Sequence, residues 1–147
     1  MRVAVVLGCL GATAVQAQNL KVDSLRVELS WPADQVDDSV KAAFSRAGLT
    51  ITRTTPSLIE AKESGTAGMG GGQIQRVVRA SIYSGERISS VQIVGEEIVR
   101  DRNGWTVRRR RIDNRARGDT GEVWKKMVAA ARMLDSTSVP DQATAHP

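Results

Sequence analysis

The chain has 147 residues, of which 41% are hydrophobic and 25% charged, with a net charge of +5. That is one domain's length, and the composition is too apolar for general disorder. One Cys, one His, one Tyr and one Phe leave most nucleophile and metal chemistries without parts.

The chain opens with Met1-Arg2, a short basic start, followed by the apolar run Val3 to Val15. Val15-Gln16-Ala17 then places small residues at the −3 and −1 positions of a cleavage site before Gln18. This order predicts a signal peptide over residues 1–17, and hence export to the periplasm or the extracellular space. Its core of about 13 residues is short of the roughly 20 that span a bilayer as a helix. Val6-Leu7-Gly8-Cys9 loosely resembles a lipoprotein cleavage box. That is the weaker reading, because only about six apolar residues precede the cysteine where roughly 7–15 are usual. No later segment approaches membrane-spanning length, so a mature chain without a transmembrane segment is expected. Cleavage before Gln18 also removes Cys9, leaving the fold to its core without disulfides.

Leu20 to Ser30 carries Leu25, Val27 and Leu29 in alternation, the pattern of a half-buried strand. Ser30 is placed to cap a helix with Trp31-Pro32 in its first turn and Asp34, Asp37 and Asp38 near its positive end. Val36, Val40, Ala43, Phe44 and Ala47 form one helical face, and Gly48 is suited to end it.

The period then changes to two. Leu49 to Thr52 begins a strand, Pro56-Ser57 turns it, and Leu58 to Lys62 returns. Gln73 to Tyr83 holds Ile74, Val78, Ala80 and Ile82 on one parity, Ser84-Gly85-Glu86 turns, and Ile88 to Arg100 continues with a bulge expected at Gly95. Asn103-Gly104 predicts a two-residue type I′ hairpin, with Trp105 to Ile112 as the return strand. That register sets Glu97 opposite Arg110 and Glu96 opposite Arg111.

Asp119, with Glu122 three residues on, has the spacing of a capping box. Val123, Met127, Ala130, Ala131 and Leu134 follow as the face of a second helix. The whole predicts an α+β domain over residues 18–135. It is a single curved antiparallel sheet of five to six strands with two helices packed on one face, in β-α-β-β-β-β-α order. Ser136 to Pro147 is expected to be a flexible C-terminal tail. Many unrelated small domains share this order, so it carries no function by itself.

No catalytic constellation emerges. His146 stands one residue from the C-terminus, where no nucleophile could rely on it as a base. Glu96 and Glu97 are strand neighbours and point to opposite faces, so they cannot form an acid/base dyad. Asp34, Asp37 and Asp38 are better read as partners of a helix N-terminus than as cation ligands. The stretch Gly65 to Gly72 lacks the Lys-Ser/Thr and the following helix of a phosphate loop, and reads as a strand connection. Accordingly no catalytic residue, metal site or cofactor is assigned.

Charge is the distribution that stands out. Residues 18–99 carry nine bases and ten acids, whereas residues 100–132 carry eleven bases and four acids. Cross-strand pairing with Glu96 and Glu97 absorbs Arg110 and Arg111, leaving Arg108, Arg109, Arg115 and Arg117 as candidate ligands for an acidic partner. The competing reading is a solvated, ion-paired sheet face that discourages edge aggregation. Nucleic acid is disfavoured as a partner, since stacking aromatics are few and an exported chain, as expected here, rarely meets it. The expected function is an exported, non-enzymatic cell-envelope binding domain that takes an acidic protein or an anionic envelope component. The alternatives are a small periplasmic enzyme using carboxylates and arginines in a sheet–loop pocket, or an assembly subunit pairing through an exposed strand edge.

Overall fold

The alternation at Leu25, Val27 and Leu29 is that of β1 (Ser24–Leu29), whose three apolar side chains are buried. β1 is the first strand of a computed structural model that describes residues 20–63 and 71–137. The signal segment with Cys9, most of the glycine-rich stretch and His146 lie outside the described residues. After β1 come α1 (Ala33–Arg46), β2 (Thr50–Thr55), β3 (Leu58–Glu63), β4 (Gln73–Ser84), β5 (Ser89–Arg100), β6 (Thr106–Ile112) and α2 (Gly118–Thr137). Among the described residues the strand count is therefore six, with five rather than four between the helices, all in one antiparallel sheet.

Both helices lie on one face of the sheet. Val36, Val40, Ala43 and Phe44 of α1 and Val123, Met127, Ala130, Ala131 and Leu134 of α2 join the inward residues of the strands in one core. α1 lies over β2, β3 and β4, while α2 lies over β1, β5 and β6. Three alanines on these two stripes let the helices approach the sheet and each other closely. Among the described residues no helix is long and apolar enough to cross a membrane.

The helix starts are set differently from the sequence expectation, whereas Gly48 ends the first helix as expected. α1 begins after Pro32 rather than at Ser30, with Pro32 extended at the cap position and no side-chain hydrogen bond there. Proline has no N–H to leave unsatisfied, so it can sit at this boundary without a capping side chain. At the other end Gly48 adopts φ 84°. Its N–H donates to the Ser45 carbonyl and that of Leu49 to the Phe44 carbonyl, the paired bonds of a Schellman ending. α2 begins at Gly118, one residue before the expected Asp119, and Glu122 turns forward to Lys125 Nζ at 2.7 Å instead of closing a capping box.

The sheet order is β1-β5-β4-β3-β2, with β6 also on β5. β4 covers one edge of β5 along its full length, from Gln73 opposite Arg100 to Ser84 opposite Ser89. The other edge is divided, because β1 takes Ser89 to Val94 and β6 takes Gly95 to Arg100. β6 and β1 therefore run end to end in the same direction along one line. Asn114 joins them: its backbone N–H donates to the Val22 carbonyl at 2.9 Å, its Oδ1 accepts from the Val22 N–H at 2.9 Å, and its Nδ2 donates to the Leu20 carbonyl at 3.0 Å.

Gly95 does not sit at a bulge. The β4–β5 register passes through Val78 opposite Gly95 without a break. A Cβ there would stand 2.7 Å from Met127 Sδ and 3.3 Å from Ile112 Cβ, so the glycine admits α2 to the sheet.

The β5–β6 turn is also not type I′. Only Gly104 has positive φ, Asp101 N–H donates to the Trp105 carbonyl, and Gly104 N–H donates to the Asp101 carbonyl. That is a three-residue loop ending in a left-handed glycine, with Asp101 Oδ1 accepting from the N–H groups of Asn103 and Trp105. The extra loop residue shifts the register by one, and a bulge that leaves Val107 without an opposite residue shifts it back. The two departures cancel, and Glu97 does face Arg110 and Glu96 does face Arg111.

Candidate anion-binding surface

The last apolar row across the helix side of the sheet is Ala61, Val78, Gly95 and Ile112, in register on four neighbouring strands. The next row outward is Glu63, Arg76, Glu97 and Arg110, alternating in charge. Glu97 is its centre. Only 3% of this residue is exposed, and its carboxylate accepts from Arg76 Nε at 3.2 Å and Arg110 Nε at 2.9 Å, with Arg108 at 3.5 Å. Arg76, also buried, reaches Asp119 of α2 at 3.4 Å, and Glu63 accepts from Lys126 at 2.7 Å. This row closes the apolar core with paired charges and fixes the direction of two β6 arginines.

The opposite face of the sheet has its own pairing. Arg79 donates to Glu60 at 2.9 Å and to Glu96 at 2.7 Å. Partial burial opposes the charge of Arg79, but hydrogen bonds to Glu96 and Glu60 outweigh it and hold its pKa above the ordinary arginine value. Glu96 therefore serves Arg79. Although Arg111 lies opposite it in the ladder, Arg111 has no ion pair among the described residues.

Past Ile112, at the end opposite the hairpin, β6 runs into the turn Asp113 to Arg117. Asp113 Oδ1 accepts from the Arg115 N–H at 2.9 Å, and Thr120 Oγ donates to the Arg117 carbonyl at 2.8 Å, so side chains hold both ends of the turn. The turn, the end of β6 and the chain before β1 enclose a groove of about 510 Å³. Lys21, Arg110, Arg111, Arg115 and Arg117 bring five cations to it, against the single carboxylate of Asp113 and beside the Thr120 hydroxyl. Lys21 lies 3.7 Å from Asp113 and Arg110 is held by Glu97, while Arg111 and Arg117 have no ion pair among the described residues.

Of the four arginines expected to bind, Arg115 and Arg117 line the groove and Arg108 and Arg109 do not. Arg108 is turned to Glu97, contrary to the expectation that it lacks a local partner. Arg109 is exposed on the helix-free face, with no ion pair among the described residues. Sequence reasoning missed Lys21, Arg110 and Arg111. Lys21 comes from the other end of the described chain, through the β6–β1 junction that local patterning does not encode. Cross-strand pairing with Glu97 and Glu96 points away from the two arginines as ligands, yet both line the groove.

Elsewhere the acidic helix start is internally paired: Lys41 Nζ donates to Asp37 and lies 3.8 Å from Asp38. The hydrogen bond to Asp37 raises the Lys41 pKa above the usual lysine value. Among the described residues no group of His, Cys, Asp and Glu is arranged to hold a metal ion. No protein-family model and no curated protein matches the chain.

Proposed function

We propose that the chain is an exported, non-enzymatic binding domain of the cell envelope, taking an acidic protein or an anionic envelope component on the arginine surface around β6. The observation that carries this reading is the groove in which five cations from three chain segments meet one carboxylate. Guanidinium groups suit carboxylate and phosphate oxygens, and a concentrated positive field raises the on-rate of acidic partners. Export rests on the basic, apolar and small-residue order of residues 1–17.

The test is binding of fluorescent poly-glutamate to the wild type and to the combined variant Arg109→Gln, Arg111→Gln, Arg117→Gln. These three guanidiniums have no ion pair among the described residues, so stability should stay within about 0.5 kcal/mol. Three exposed contacts at about 0.5 kcal/mol each correspond to about a tenfold loss of affinity at low salt. Wild-type affinity should also fall steeply with ionic strength. A variant that binds as tightly as wild type at low salt would overturn the reading.

A further inference from the structure

The geometry points to an extended acidic segment as the partner, taken up as an added strand along the outer edge of β6; this rests on the acidic-partner reading and specifies how it is met. β6 pairs with β5 on one side, and among the described residues no strand pairs with its other side. Every residue from Thr106 to Arg111 is exposed. Such an edge offers a row of unpaired N–H and C=O groups to any extended chain that comes alongside.

The side chains then select the chain. Arg108 and Arg110 project to the helix side and meet Glu97, while Arg109 and Arg111 alternate to the opposite side. An incoming strand therefore meets guanidinium groups on both of its faces, and carboxylates on both faces answer them.

A second copy of β6 is the wrong occupant. Antiparallel self-pairing about the centre of Arg108 to Arg111 sets arginine directly opposite arginine at all four positions, and shifts of one or two residues keep several such pairs. Like charges directly opposite destabilise a sheet. The same run that blocks self-association leaves the edge open to a strand of opposite charge.

The ends of the edge are marked as well. Trp105 and Val107, 73% and 62% exposed, offer apolar contacts at the hairpin end. The groove with Lys21, Arg115 and Arg117 receives acidic residues at the other end. Seven residues of β6 at about 3.3 Å each suit a segment of roughly seven residues, acidic on both faces and apolar at one end.

The experiment uses fluorescent peptides of about nine residues rich in Glu, with blocked ends, and the whole chain. One peptide is unmodified, one is N-methylated at its odd positions, and one at every position. Only one alternate set of peptide N–H groups can face β6. The unmodified peptide should bind at low salt and slow amide hydrogen exchange across Thr106 to Ile112. The fully methylated peptide should bind at least about tenfold more weakly, having lost several backbone hydrogen bonds, and the half-methylated one, which can turn its free N–H edge to β6, should bind nearly as well. If all three bind equally and β6 exchange is unchanged, strand addition is overturned while the acidic-partner reading stands. If none binds at low salt but poly-glutamate does, the strand mode again fails alone. If poly-glutamate also fails to bind, both readings fall.

Discussion

Glu97 shows how one residue can serve the core and the surface together. Its carboxylate is the main partner of the buried Arg76 and the anchor of Arg108 and Arg110, whose side chains are 59% and 54% exposed. Breaking a buried ion pair leaves an uncompensated charge, whereas an exposed pair contributes little. Glu97→Gln should therefore destabilise the fold by about 2–3 kcal/mol, below the full cost of an orphaned charge because Asp119 remains beside Arg76. Arg110→Gln should cost less than about 1 kcal/mol. Urea melts of the two variants make the comparison, and equal midpoints would contradict the role given to Arg76. The pairing of Glu97 with Arg110 is legible in the sequence from alternation and a nearby turn. The burial of Arg76 is not, because nothing local to β4 says that Glu97 of β5 and Asp119 of α2 meet its side chain.

At the scale of elements, the 3.6-residue spacing of α1 and α2 is legible, since each stripe is uninterrupted and every residue expected to be buried in α2 is so. Helix starts are less legible, because several residues near each end could cap and tertiary contacts decide among them. Glu122 is such a case. Its hydrogen bond and charge attraction to Lys125 hold its pKa below the usual carboxylate range. A carboxylate lowered by folding adds stability above its unfolded value of about 4.3, and that contribution is lost as pH falls through the lower folded value. Carbon-detected NMR should place the Glu122 midpoint below that of an unpaired glutamate, and Lys125→Met should return it to the ordinary range. An unmoved midpoint in that variant would assign the shift to another cause. The hairpin gives a different lesson. Its register is legible although its turn type is not, because the extra loop residue and the bulge at Val107 offset each other.

For the molecule as a whole, the α+β class and the shared helix face follow from periodicity, but the order of strands does not. The alternation of β1 states that it is half-buried without stating which edge it joins. The candidate groove depends on that choice, since Lys21 reaches it only because β1 continues the line of β6. Phe44, the sole phenylalanine, is fully buried in the core that α1, α2 and the sheet share. Phe44→Ala should cost about 3–5 kcal/mol, read as a shift in the urea midpoint without a change in slope. A loss below about 1 kcal/mol would contradict a core centred on these helices.

The shared edge of β5 also orders the folding reaction. β2 to β6 are joined by short local connections except between β3 and β4, so this meander can assemble from neighbouring pairs. β1 must bring Val27 beside Val91, closing a loop of more than 60 residues at an entropic cost that short hairpins avoid. The first described strand is thus expected to be among the last to dock. The Asn114 amide, reaching Leu20 and Val22, acts as the latch of a late step whose rate reports on topology rather than on local propensity.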